Sequence, residues 1–175
     1  PDSYLLVIPD TDPTSLFLLE SALDSLSSQN YSRSIGINSS GDYFGFLYNS
    51  DSLSLLETEN VSGNYTRDPY RGLFRPTGAA TDTADFHVFN VHLNASSAST
   101  RQTEANGIRA ELNALGNNEN YFVIGDLNID RSTESSYQIL TGAGSGQVLD
   151  PINAPGNWHN NSSFKSLHTQ NPAGP

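Results

Sequence analysis

The side chains best suited to chemistry lie in two short segments, "FHVFNVHLN" (86–94) and "YFVIGDLN" (121–128). In the first, Asn90 and His92 stand two residues apart at the end of an apolar run; in the second, Asp126 and Asn128 do the same. Residues two apart in an extended chain project to one face. Each segment therefore predicts a buried strand that ends by delivering a polar pair to one place. A carboxylate and an amide so placed can bind a divalent cation or hold a phosphoryl oxygen. An imidazole donor beside them can stabilise charge on a pentavalent phosphorus. Gly125 permits a turn or a close backbone approach. Taken singly, each segment is explained at least as well by structure: Asp126 capping a turn, Asn128 bonding its own backbone, His92 satisfied by a carbonyl. Their combination is more specific. His87 falls on the opposite strand face, with Phe89, and reads as surface or packing.

The elements that must position these residues follow from periodicity. "YLLVI" (4–8) reads as a short buried strand, broken by "PDTDP". Asp12 can cap a helix with Pro13 at its first position, and Leu16, Leu19, Leu23 and Leu26 follow at helical spacing. "YFGFLYN" and "LSLLET" predict a hairpin around "NSDS", and residues 58–85 read as irregular. "STRQ" (99–102) is a capping box that opens a helix with Ala105, Ile108, Leu112 and Leu115 on one face, stopping at Gly116. "STESSYQIL" suggests a third helix capped by Ser132, and the chain beyond Thr141 is rich in Gly, Pro and Asn. Strands alternating with helices around one hairpin point to an α/β or α+β layered sandwich. With no repeat and no visible boundary, residues 1–175 read as one domain.

The order "NVHL", then a helix beginning "TRQTEA", then "YFVIGDLN" resembles the endonuclease/exonuclease/phosphatase superfamily, the fold of pancreatic deoxyribonuclease. That family shows Asn-x-His-Leu and Gly-Asp-Phe-Asn at two strand ends; Leu127 stands here for the usual Phe. "GDYFGFLYNSDSLSLLE" is similar to the family's hairpin, "RDPYRGLF" to its Arg-x-Pro loop, and residues 149–174 to a secreted bacterial-type branch. The resemblance implies an α/β, deoxyribonuclease-like layered sandwich. It implies that His92 contacts the scissile phosphate, Asp126 orients or deprotonates the attacking water, and Asn128 positions the phosphate. Arg67 or Arg71 would neutralise a phosphate oxygen. Asp10 stands where the family has a metal-binding glutamate, one methylene shorter, and Mg²⁺ or Mn²⁺ would be the cofactor of an enzymatic form. No counterpart of the family's first strand or of its closing Ser-Asp-His is found, and neither His159 nor His168 follows an Asp. The expectation is a single incomplete domain missing its first and closing strands, without a cofactor as given and with little or no hydrolase activity.

Composition bounds the partners. The net charge is −11 and only 15% of residues are charged. That balance argues against nonspecific binding to DNA or to an anionic membrane, both of which need basic surface. There is no cysteine, so disulfides and thiolate metal sites are excluded. No run approaches the roughly 18 apolar residues of a membrane span. No methionine occurs, even at position 1, so a processed product or a segment of a longer chain is expected. Asn-X-Ser/Thr triplets occur at Asn30, Asn38, Asn60, Asn64, Asn94, Asn160 and Asn161, which suggests a secreted protein carrying N-linked glycans. Two functions are expected from these features. One is an extracellular assembly domain, a filament subunit that self-associates through open sheet edges. The alternative is a fragment of a secreted metal-dependent phosphodiesterase, for which nucleic acid is a partner.

Overall fold

The computed structural model describes residues 5–116 and 118–167. The elements run β1 (Leu5–Thr11), α1 (Pro13–Leu26), β2 (Tyr31–Ile37), β3 (Tyr43–Asn49), β4 (Leu53–Asn60), β5 (Tyr70–Pro76), β6 (Phe86–His92), α2 (Ala98–Leu115), β7 (Asn120–Asp126) and α3 (Ser135–Thr141). Two sheets, ordered β1-β3-β2 and β4-β5-β6-β7, make the α/β sandwich. The chain divides into two compact units where the sequence offered no boundary. The first is Pro1–Leu93 with Asn118–Leu127; the second is Asn94–Asn117 with Asn128–Pro175.

In the first unit the sheets face each other across an aromatic core. Alternation along β3 turns Phe44 and Phe46 inward, where they meet Leu53, Tyr70, Phe74 and Val88 of the other sheet. Phe46 stacks on Tyr70 at 5.1 Å and meets Phe74 edge-on at 5.4 Å; Phe74, Phe86 and Phe122 continue the series. Each such pair adds about 0.5–1.5 kcal/mol beyond its buried area. Asn90 ties the layers together, its Nδ2 donating to the carbonyls of Ile8 and Gly45 in the opposite sheet. On the outer face of the first sheet Leu16 of α1 packs onto Gly45. Asp12 caps α1 as expected, accepting from the Thr14 and Ser15 amides. Of the four leucines expected to form its apolar face, Leu16 is buried and Leu23 half-buried, but Leu19 and Leu26 are exposed.

Several other expectations are corrected. "YFGFLYN" and "LSLLET" are consecutive strands but not a hairpin: β3 pairs with β1 and β2, whereas β4 pairs with β5. The turn between them carries the chain from one sheet to the other, so that both apolar faces line the same core. Residues 58–85 are not irregular throughout, since they contain β5, a central strand. The crossover through α2, which the sequence left open, is parallel, β6 pairing with β7 from Phe86↔Asn120 to His92↔Asp126.

In the second unit α2 begins two residues earlier than the capping box suggests. Its cap is Ser97, which accepts from the Thr100 amide, and Ser97 is itself held by Asn94 Oδ1. The expected face is buried at Ala105, Ile108 and Leu112. Arg101 and Glu134 form a buried bidentate pair, with Nε–Oε1 2.6 Å and Nη2–Oε2 2.8 Å. Arg101 also donates to the Asn94 carbonyl, and Ser136 to Glu134. Burial pushes the Glu134 carboxyl up, but the hydrogen bonds from Arg101 and Ser136 outweigh it and hold the group below the usual carboxylate range. Glu134, not Ser132, is the cap position of α3, and it makes no side-chain cap bond because its carboxylate is committed to Arg101.

Candidate active site

The site is assembled at the end of β6 and β7. Parallel register sets His92 directly beside Asp126, and the Leu93 amide donates to the Asp126 carbonyl at 2.9 Å. The approach depends on Gly125, which has φ +138; a Cβ there would stand 2.0 Å from the Val91 carbonyl oxygen. The glycine of "IGDLN" is thus a close-approach glycine, and it brings the Asp126 carboxylate to 3.8 Å from His92 Nε2.

The third member comes from β1. The β1–β3 register shifts between Ile8 and Thr11, and inside that irregularity Asp10 adopts φ +52. A non-glycine residue with positive φ is uncommon and costs on the order of 1–3 kcal/mol, held by its surroundings. The effect is to aim Asp10 at the neighbouring sheet. Its Oδ2 lies 2.6 Å from His92 Nδ1, and its Oδ1 lies 3.7 Å from Arg67 Nε. The same Arg67 Nε donates to Asp42 at 3.1 Å. His92 is largely buried, its side chain 13% exposed, while Asp10 and Asp126 are open to solvent at 42% and 31%. The contact to Asp10 is one of distance: by direction, the buried Nδ1 has no hydrogen-bond partner.

Of the residues singled out from sequence, the first unit brings His92, Asp126, Asp10 and Arg67 together. Arg71 is elsewhere: it lies on β5 and pairs with Glu59 of the adjacent strand. Asn128 belongs to the second unit, where it too adopts a left-handed backbone, φ +49. Asp42 was not anticipated, and its only sequence signal is its place before β3. His87 is buried on the opposite face and faces Glu119 at 3.7 Å; burial pushes its imidazole below the usual histidine range. In the second unit His159 Nδ1 lies 3.1 Å from Asp130 Oδ1, so this histidine does have a carboxylate partner, though not one adjacent in sequence. His168 lies outside the described residues.

The glycosylation triplets differ in access. Asn38 is 5% exposed with its Nδ2 sealed from solvent, so no sugar can be attached there in the folded chain. Asn30, Asn60, Asn64 and Asn160 are exposed, and Asn94 and Asn161 are half-buried. The Asn30 amide nitrogen donates to Asp51 and that of Asn60 to the Ile37 carbonyl, whereas Asn64 stands in the β4–β5 loop.

The resemblance read from the sequence implies a divalent cation, with Asp10 as its carboxylate. The donor set does not fit one. Among the described residues no three His, Cys, Asp or Glu side chains converge as a metal group. One Asp10 oxygen faces an imidazole nitrogen and the other a guanidinium, so an incoming cation would meet a fixed positive charge.

No family model matches the chain, and no curated protein matches it. Solved structures do. The human Nocturnin catalytic domain with bound sulfate gives a TM-score of 0.58 at 12% identity, covering 98% of this chain and 63% of that one. A humanized D. rerio TDP2 gives 0.58 at 12% identity, with 76% and 52% covered. ANGEL2, a 2',3'-cyclic phosphatase, gives 0.57 at 14%, with 87% and 50% covered. All three belong to the endonuclease/exonuclease/phosphatase superfamily. The fold is therefore of the deoxyribonuclease-like type. The chain spans between 50% and 63% of the length of these structures.

Proposed function

We propose that the chain acts on a phosphate ester, hydrolysing a phosphodiester at the Asp10–His92–Asp126 cluster. The observation that carries this reading is the convergence of three strands on one imidazole flanked by two carboxylates, with Arg67 alongside. A guanidinium has five N–H donors. Arg67 meets both Asp42 and Asp10 through Nε, so its terminal nitrogens suit a phosphate oxygen. Asp126 orients the attacking water. The expected lack of activity rested on a missing closing histidine and a misfitting metal residue; a carboxylate-flanked imidazole within the first unit supplies acid–base chemistry without either. The charge of −11 favours a small diester over a long polyanion, whose binding depends on basic surface. The test is release of 4-nitrophenol from bis(4-nitrophenyl) phosphate. Turnover that falls about 10²–10⁴-fold in His92→Ala is expected, that being the usual worth of positioned proton transfer. Wild-type turnover no faster than buffer overturns the reading.

A second reading, self-association, is favoured by β7. Among the described residues it is the last strand of its sheet, and it leaves Phe122 53% and Ile124 40% exposed. Unpaired strand edges are templates for another chain. Sedimentation of wild type against Phe122→Lys decides it: a larger species abolished by the substitution supports assembly, and a concentration-independent monomer rejects it.

A further inference from the structure

We propose that Asp10 is the positioning residue of His92, a carboxylate that fixes where the imidazole carries its proton. This inference rests on the phosphoesterase reading and assigns the proton traffic within that site.

Three observations carry it. First, Asp10 Oδ2 is 2.6 Å from His92 Nδ1 while Asp126 lies on the Nε2 side at 3.8 Å, so the two carboxylates address different ring nitrogens. Second, Nδ1 is buried and without another hydrogen-bond partner. A buried polar nitrogen left unpaired costs about 1–3 kcal/mol. A proton on Nδ1 directed at Asp10 by a small rotation removes that cost, whereas a lone pair there would face a carboxylate. Third, the chain accepts strain to place this carboxylate: Asp10 sits in a strand irregularity at φ +52, and Arg67, itself braced by Asp42, faces its other oxygen. The charged groups facing the imidazole are thus Asp10 from β1 and Asp126 from β7, with Arg67 from the β4–β5 loop and Asp42 before β3 behind Asp10.

The consequence is a defined role for each atom. With the proton on Nδ1, Nε2 keeps its lone pair toward the open side of the site. A water held by Asp126 attacks phosphorus and forms the new P–O bond as Nε2 takes one of its protons. The ester P–O bond breaks with its electron pair on the leaving oxygen. That oxygen takes the proton back from Nε2, giving an alcohol and a phosphomonoester and restoring the neutral ring. Asp10 touches no reacting atom. It holds the ring and stabilises the transient imidazolium, the part played by the buried carboxylate of a Ser-His-Asp triad. A carboxylate so engaged is not available as a cation ligand, which accounts for the misfit of the metal site.

The test reads the tautomer, which a merely structural role would not set. Protein labelled with ¹⁵N-histidine is examined by two-dimensional NMR above the titration range of histidine, in wild type, Asp10→Asn and Asp10→Gly. Glycine is chosen because it accepts φ +52 without strain. The expected result is Nδ1–H for His92 in wild type and reversion to Nε2–H, the ordinary tautomer of free histidine, in Asp10→Gly. The kcat should fall roughly 10²-fold in Asp10→Gly with KM changed less than twofold. Asp10→Asn keeps the shape, but its amide can present NH₂ to Nδ1, so it should also move the proton to Nε2 and lose rate, as the same change does in a Ser-His-Asp triad. An Nε2–H tautomer in wild type, or a tautomer unmoved in Asp10→Gly, overturns the inference. If that happens while diester turnover persists, the phosphoesterase reading stands without it. The expected tautomer shift without any turnover supports the role of Asp10 and removes the activity instead.

Discussion

Replacing Gly125 by alanine perturbs the fold and the site through one atom. The added Cβ would lie 2.0 Å from the Val91 carbonyl oxygen, and real Cβ contacts essentially never fall below 3.0 Å, so β6 and β7 must separate by about 1 Å. The backbone at φ +138 adds strain of ~1–3 kcal/mol for any residue with a Cβ. The steric displacement adds ~1–3 kcal/mol more, as overpacking does. The combined ~2–6 kcal/mol lowers the melting temperature by roughly 4–24 °C at about 2–4 °C per kcal/mol for a chain of this size. Because the displaced carbonyl and the Asp126 backbone flank His92, the same movement misaligns the site; a 1 Å misplacement costs on the order of 10²-fold in rate. Circular dichroism melting and bis(4-nitrophenyl) phosphate turnover measure the two effects. Gly78→Ala is the control, with φ +85 but nothing within 4 Å of its Cβ. It should lose about 1 kcal/mol of stability from backbone strain and no activity. A Gly125→Ala protein that melts and turns over like Gly78→Ala would refute the parallel register at the site.

Other outcomes follow from particular contacts. Glu134→Ala strands the buried Arg101 charge and should cost about 3–5 kcal/mol, read by urea unfolding with Trp158, the chain's single tryptophan, as fluorophore. Since the Glu134 carboxyl is held below its ordinary value of 4.5, its contribution is complete above that pH and is lost as pH falls through the lower folded value. The acid limb of stability should therefore flatten in Glu134→Gln. His87 has the same proton count, since burial sets its folded value too below the ordinary one: held neutral, it contributes no penalty above its ordinary 6.5, but stability declines as pH drops below that toward its lowered folded value. His87→Leu should remove that decline in melts between pH 7 and 5. Arg67→Ala should raise KM about tenfold, one charge-assisted contact. Arg71→Ala, which breaks only a partly exposed pair with Glu59, should leave KM unchanged and shift stability by less than about 1 kcal/mol.

The parts of the fold legible in the sequence are those where period and punctuation agree. β6, α2 and β7 follow from uninterrupted apolar alternation and from Ala105, Ile108 and Leu112 at helical spacing. The Asp12–Pro13 cap is a local chemical signal and is realised as such. β5 escaped because its pattern, "YRGLFRP", carries a glycine, two arginines and a proline, yet it is central in its sheet. The false hairpin arose because a tight turn between apolar strands is the same signal whether the strands pair or face each other across a core. At the site, His92 near Asp126 was expected from the family resemblance of the two segments; the parallel pairing that aligns their ends is not encoded in the strand pattern. The contact of Asp10 with His92 was not legible: a one-residue irregularity with a left-handed aspartate re-aims a side chain in a way that spacing does not encode. The place of Arg71 was not legible either: an arginine near a proline reads as a loop group, whereas its strand sets it across from Glu59.

A titration of histidine-labelled protein with a slowly hydrolysed phosphorothioate diester, followed by NMR, puts the shared pocket to the test. Saturable movement of the His92 ring resonances, with those of His87 still and the midpoint shifted about tenfold higher in diester for Arg67→Ala, is the outcome this site requires. A His92 signal indifferent to the diester, or one that moves no more than His87, would contradict the assignment of the Asp10–His92–Asp126 cluster as a phosphate-ester site.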